Sequence, residues 1–195
     1  MGESRPVTGR ARIALSLVVA AIVATASWVL TRPPVPPLLD LARGPQTVYV
    51  TNPFAIGDTY TFGSTGVPPS TKTPFRITSI KVLHLVGVEV LGYGALGVDD
   101  EALGLVPDWP PPSTFEVQDP FAPGATWQGD VQALVGLRVT KPVSGLRGIE
   151  VSWVDGDGQP GTRIFDFAVV TCGPGCGHTP DGDSGPLLQD LGLLK

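Results

Sequence analysis

Residues 75–85 read FRITSIKVLHL, and their apolar and polar side chains alternate with the period of two that is typical of a β-strand with one buried face. Phe75 and Ile77 share one phase of this alternation, whereas Ile80 and Val82 share the other. One extra residue in a strand produces such a shift, so the sequence predicts a β-bulge between the two pairs. The stretch therefore predicts a long strand that covers a hydrophobic core.

Similar short runs of β-forming residues occur through the rest of the domain, separated by Gly, Pro, Asn and Asp. Only 99–103 and 186–194 are helix candidates, and both are weak. This pattern predicts a mainly β fold, an antiparallel immunoglobulin-like β-sandwich, with an up-and-down barrel as the alternative. The predicted strands are 47–50, 58–62, 75–85, 86–91, 114–117, 131–140, 148–154 and 163–171.

Two further features bear on the sandwich. The long segment 95–112 contains the Pro-rich run 109–112 and is predicted to be a surface excursion between the sheets. Trp153 lies on the buried phase of 148–154, which predicts a core position like that of the tryptophan in immunoglobulin domains. The disulfide of those domains has no counterpart here, because both cysteines lie near the C-terminus.

The composition supports a β-rich globular domain. Apolar residues make up 42% of the 195 residues, and the 25 Gly and 21 Pro favour turns over long helices. Residues 1–32 hold four of the 13 basic and one of the 18 acidic residues, so the remainder carries a net charge of −8. An acidic domain repels phosphate backbones, which disfavours nucleic-acid binding.

The N-terminal part predicts export. Residues 13–30 read IALSLVVAAIVATASWVL, an uncharged run that as a helix reaches about 27 Å, close to the bilayer core of about 30 Å. Arg5, Arg10 and Arg12 precede it, and such positive charges stay on the cytoplasmic side. The run therefore predicts a single-pass signal-anchor in the cell membrane. The alternative is a secreted protein cleaved after Ala26, within an A-x-A pattern.

The chain divides into five predicted segments. Pro33, Pro34, Pro36 and Pro37 follow the anchor and favour a stiff, extended stalk. The last residues are rich in Gly, Pro and Asp, which predicts a tail without rigid support. The segments are a cytoplasmic N-terminus (1–12), the transmembrane signal-anchor (13–30), the Pro-rich stalk (31–45), an extracytoplasmic β-sandwich (46–176) and a flexible C-terminal tail (177–195).

Cys172 and Cys176 are the two cysteines of the chain. Outside the cell, thiols this close in sequence become oxidised, and the intervening Gly-Pro-Gly allows the tight loop that a disulfide requires. We predict a structural disulfide between them. A thiol-redox role for the pair is an alternative, although the C-x-x-x-C spacing differs from that of C-x-x-C redox motifs.

Residues 182–186 read GDSGP and look like the sequence around the nucleophilic serine of chymotrypsin-like proteases. A serine hydrolase-like protein that uses Ser184 is therefore a second alternative. The motif lacks one Gly, and only His84 and His178 could act as the base of a triad. His84 lies in an apolar strand, where a partly buried structural histidine is the simpler interpretation.

The layout as a whole resembles the small anchored ectodomains that are abundant in high-GC Gram-positive bacteria. Their sandwich domains are mostly uncharacterised, so the resemblance implies a compartment and a fold but assigns no catalytic residue. It rests on the charged N-terminus, the span, the Pro-rich stalk and the late Cys, together with ITSIKVL (77–83), VGVEVLG (86–92), ALVGLRVTKP (133–142) and GIEVSWVDGDG (148–158).

These observations predict a non-enzymatic binding or interaction module at the cell envelope, with another envelope protein or a cell-wall component as partner. No catalytic, cofactor-binding or metal-binding residue is predicted. The Asp-Gly turns at 155–158 and 181–183 do not follow a calcium-loop pattern, and hairpin chemistry accounts for them.

Overall fold

The computed structural model describes Leu39, Arg43 and residues 45–51, 54–67, 73–97, 103–172 and 185–195. All of them belong to the compact unit Pro36–Lys195. The predicted cytoplasmic segment, the predicted signal-anchor and most of the stalk lie outside the described residues. Within the described ranges, no helix has the length and apolar character needed to cross a bilayer.

In the described part of the chain, eight strands form two four-stranded sheets, and the predicted mainly β fold is confirmed. All neighbouring strands run antiparallel except β1 and β8, which pair in parallel. One short helix, α1 (Gly185–Asp190), follows them. The first sheet has the order β1 (Thr47–Thr51), β8 (Pro160–Cys172), β7 (Val143–Asp155) and β3 (Phe75–Val86), and the second has the order β4 (Val88–Gly97), β6 (Val131–Val139), β2 (Thr59–Val67) and β5 (Leu105–Pro107).

The two sheets share one hydrophobic core, which is the arrangement of a β-sandwich. Alternate residues of β6 face this core, as the period of two requires, and Trp153 packs against it while remaining partly exposed. The bulge predicted in β3 is confirmed by a register shift between Ile77 and Ser79. Fully buried members include Tyr60, Val131, Ala133, Val135, Leu137, Leu146, Ile149, Val151 and Val169.

The sheets are joined at a corner where two chain segments cross together. β3 continues into β4 at Gly87, and β6 continues into β7 through residues 140–142. The amides of Thr140 and Lys141 both donate to the Gly87 carbonyl oxygen, at 2.8 and 3.2 Å. Gly87 has a φ of 63°, a left-handed conformation that disfavours any residue with a Cβ.

We expect Gly87→Ala to lower the free energy of unfolding by about 2 kcal/mol or more. The new methyl group would lie 2.9 Å from Cβ of both Lys141 and Ser144, in addition to the backbone strain. Gly97→Ala is the matched control in the same region of chain, because a Cβ there would meet nothing within 4 Å. Chemical denaturation of the full chain checks both variants, and equal losses would contradict this account of the corner.

The predicted excursion turns out to be a cover over the outer face of the second sheet. Residues 95–97 of the predicted excursion belong to β4, and the next described residue of the excursion is Leu103. The Leu103 amide donates to Gln132 Oε1 at 2.7 Å, and Gln132 Nε2 donates back to the Leu103 carbonyl. β5 then pairs with β2, and the Trp109 ring lies directly against Gly136 of β6. The segment is therefore part of the folded domain rather than a simple crossover.

The strand predicted over 114–117 does not form. The Phe115 amide donates to the Pro112 carbonyl and the Val117 amide to the Phe115 carbonyl, so turns satisfy the backbone there. Only the next residue, Gln118, forms a bridge, and its partner is Ala95 of β4. The short run of β-forming residues was too brief to override the surrounding proline-rich turns.

The prediction of a flexible C-terminal tail is wrong for residues 185–195. The part of the tail that the structure describes contains α1 and buries Leu187, Leu188 and Leu193. These side chains pack against Ala168 and Val170 on the outer face of β8. The apolar outer face of β8 needs a cover, and the leucines of the tail supply it.

Candidate functional site

A cleft of about 350 Å³ opens between β8 of the first sheet and β2 of the second, and we call it the β2–β8 cleft. Residues of β8 and β2 form its walls, and the start of β1 and the segment before β5 form its rims. Its lining includes Gln46, Thr47, Phe62, Gly63, Arg163 and Phe165.

Aromatic rings form the floor of the cleft. Phe62 of β2 and Phe167 of β8 have ring centroids 4.5 Å apart, across the gap between the sheets. Phe165 packs partly against the same core. Because 163, 165 and 167 alternate along β8, the strand period places Arg163 on the same inner face as these two phenylalanines.

Arg163 stands at the mouth of the cleft and is exposed. Its guanidinium carbon lies 4.8 Å from the centroid of the Phe165 ring, a cation–π geometry. Its Nη1 also donates to the Gly66 carbonyl oxygen of β2 at 3.1 Å. These two contacts hold the guanidinium between the two sheets, and a guanidinium has five N–H donors in all.

A largely buried ion pair adjoins the cleft. Asp166 lines the cleft, and its two carboxylate oxygens accept hydrogen bonds from Nε and Nη2 of Arg147 at 2.9 and 3.1 Å. Arg147 has no exposed surface. Its Nη1 donates to the Leu193 carbonyl and its Nη2 to the Arg43 carbonyl, at 2.7 and 2.8 Å. One cation thus joins β7, β8, the C-terminal segment and the end of the stalk.

The cleft has a net positive charge within an acidic domain. Among its described lining residues, Arg163 and Asp166 are the ionisable ones, and Arg147 neutralises Asp166. A polar, cationic mouth above an aromatic floor favours binding of a ligand that carries an anionic group and an apolar part.

A second recess of about 400 Å³ lies at the other end of β2, between Phe54, Asp58, Pro107 and Asp108. Asp58 accepts the Ala55 amide at 2.7 Å, so its carboxylate closes a turn. This recess has no cation among its described lining residues, and we regard the β2–β8 cleft as the stronger candidate.

Tyr60 is a buried titratable group close to the core. Burial raises the pKa of Tyr60 above its ordinary value, so this hydroxyl stays protonated at neutral pH. Its ring stacks on Phe54 with centroids 5.0 Å apart. These contacts are those of a core residue.

The structure locates only some of the residues singled out from the sequence. Cys172 is buried at the end of β8, and no described cysteine is a free thiol. Its predicted partner, Cys176, lies outside the described residues, so their pairing stays a prediction. Ser184 and His178 also lie outside them. His84 is half-buried in β3, with Arg147 of β7 as its cross-strand neighbour.

The described residues contain no group of three or more His, Cys, Asp or Glu side chains that could hold a metal ion.

Arg163 and the phenylalanines at 165 and 167 were not singled out from the sequence. A signal was present, since RIFDF alternates one cation and two rings on one face of a predicted strand. This alternation could not be interpreted from the sequence, because the sequence does not show that this face borders an open gap between the sheets.

No known protein-family profile matches this chain, and no curated protein or solved structure is detectably similar to it.

Proposed function

We propose that the chain is a membrane-anchored, extracytoplasmic β-sandwich of the immunoglobulin-like kind, and that it serves as a non-enzymatic binding module at the cell envelope. The β2–β8 cleft is its binding site. The observation that carries this proposal is a polar cleft with an exposed, preoriented Arg163 over an aromatic floor.

The cellular location rests on the N-terminal sequence. The uncharged run 13–30, preceded by three arginines, supports an uncleaved anchor with the following domain on the extracytoplasmic side. Another envelope protein or a cell-wall component is then the partner. Secretion after cleavage following Ala26 would leave the same domain free of the membrane.

Site-specific photocrosslinking in living cells tests the proposed site. A photoreactive amino acid at Gln46, an exposed residue on the rim of the cleft, should give one discrete adduct. The same amino acid at Gln128, which is exposed in the segment between β5 and β6, is the matched control and should give none. Thr47→Trp, which places a large ring at the cleft, should abolish the Gln46 adduct. Equal adducts from both positions, or none from Gln46, would contradict the proposal.

The non-enzymatic nature of the protein has a separate test. We expect no covalent labelling of the full chain by a fluorophosphonate probe. Labelling that disappears in Ser184→Ala would show a reactive serine and overturn this part of the proposal.

A further inference from the structure

β8 has a neighbouring strand on both sides along only half of its length. β7 pairs with it from Pro160 to Cys172, whereas β1 pairs with it only from Phe167 to Thr171. The last backbone contact on the β1 side is the Gln46 amide, which donates to the Asp166 carbonyl at 3.0 Å.

Residues 161–165 of β8 therefore have one free side among the described strands. In a strand, about half of the amide and carbonyl groups point to each side. Those that point away from β7 lie at the mouth of the β2–β8 cleft, directly beyond the start of β1. A strand edge of this kind is a ready template for another extended chain.

On the opposite wall of the cleft, the pairing of β2 with β5 also ends. β5 pairs with β2 only as far as Phe62, and the Gly63 amide donates to the Gly104 carbonyl just beyond it. Arg163 bridges to Gly66 further along β2. The gap between the two walls thus runs along the free side of β8, with the aromatic floor beneath it.

Resting on the proposed function, we infer that the ligand of the cleft is an extended segment of a partner protein. The segment adds as a strand along residues 161–165, in line with β1, and places an Asp or Glu side chain against the Arg163 guanidinium. Main-chain hydrogen bonds to a free strand edge and alternate side chains in adjoining pockets are the features of strand-addition recognition.

Charge and shape together favour this ligand over a simple anion. A carboxylate satisfies the remaining donors of Arg163 and suits the net positive cleft. An inorganic anion would use the guanidinium but neither the free backbone groups of 161–165 nor the phenylalanine floor. The cleft offers all three kinds of contact along one line.

A selection from random heptapeptides displayed on phage tests the inference, with the immobilised full chain in detergent micelles as the target. We expect selected peptides to be enriched at least about tenfold for Asp or Glu at one position. Arg163→Gln should remove that enrichment, and an unchanged thermal unfolding midpoint would show that the variant is folded. Arg163 is exposed, so its replacement should not disturb the core.

Amide hydrogen exchange then locates a selected peptide. A synthetic copy should slow exchange of residues 161–165 at least about tenfold and leave β3 unchanged. A copy with proline at its central positions is the matched control, because proline cannot donate to a strand pair, and it should bind at least about tenfold more weakly.

Three results would overturn the inference: no selected peptide, no acidic enrichment, or binding that leaves exchange at 161–165 unchanged. Binding of acetate or phosphate at Arg163 with no peptide binding would also overturn it, in favour of a small anionic ligand. The proposed function fails separately, through the Gln46 crosslinks: an adduct that Thr47→Trp abolishes, together with a failed selection, leaves a binding module with another class of ligand.

Discussion

Arg147→Met should lower the free energy of unfolding by about 3–5 kcal/mol, the usual loss when one partner of a buried ion pair is removed. The variant leaves the Asp166 carboxylate without its cation. It also leaves the carbonyl oxygens of Leu193 and Arg43 without a donor that they have now. The methionine fills much of the volume, so the loss reports the polar contacts rather than a cavity.

Chemical denaturation of the full chain in detergent, followed by tryptophan fluorescence, measures this loss. The matched control is Arg138→Met, since Arg138 pairs with Glu89 at 3.2 Å on the exposed outer face of the second sheet. We expect that control to cost less than about 1 kcal/mol. Exchange at the amides of α1 should also become faster only in Arg147→Met. Similar losses in both variants would show that Arg147 does not hold the C-terminal segment.

The second large effect concerns Trp109. Trp109→Ala should lower the free energy of unfolding by about 3 kcal/mol, because the ring covers the glycine-lined outer face of β4 and β6. Gly136→Ala should cost about 1–3 kcal/mol for the opposite reason: its methyl group would overlap the indole. The first variant removes the ring from the contact between Trp109 and Gly136, and the second adds a methyl group on the glycine side of the same contact.

A double-mutant cycle separates this contact from general damage to the sheet. When the indole is absent, the new methyl group at 136 has room, so the double variant should be less destabilised than the sum of the single variants by at least about 1 kcal/mol. Gly104→Ala is the control, because a Cβ at this glycine would meet nothing within 4 Å. Its effect on the free energy of unfolding should simply add to that of Trp109→Ala, without coupling. If the losses from Trp109→Ala and Gly136→Ala were strictly additive, this would contradict the contact between the Trp109 ring and Gly136.

The strands could be predicted because the pattern that indicates a strand lies within the strand's own stretch of sequence. The alternation in β3 follows directly from having one face in a core, and the bulge between Ile77 and Ser79 is visible in the sequence as a change of phase. The parallel pairing of β1 with β8 could not be predicted. More than 100 residues separate the two strands, and no pattern within either strand determines their relative direction.

The docked C-terminal segment was missed for a related reason. Leu187, Leu188 and Leu193 suggest burial only if an apolar surface is available, and that surface is the outer face of β8, which sequence alone presents as one face of an ordinary strand. Arg147 likewise has no neighbour in sequence that explains its burial. Its partners among the described residues include Asp166, Leu193 and Arg43, which are all distant in sequence.

The cleft could be predicted least of all. It exists because β1 and β5 are both short, so that each leaves part of a longer neighbour without a partner among the described strands. Strand length can be estimated from sequence only to within a few residues, which is too coarse to predict which part of β8 lacks a second neighbouring strand.

Residue-resolved amide hydrogen exchange of the full chain without ligand tests the central claim, that half of β8 is open at the cleft. We expect the amides of 168–171, which have strands on both sides, to be uniformly slow. About half of the amides of 161–165 should exchange at least a hundredfold faster, as on the free side of an edge strand. Uniformly slow exchange from 161 to 171 would mean that another part of the chain covers this edge, and the β2–β8 cleft could then not be the binding site.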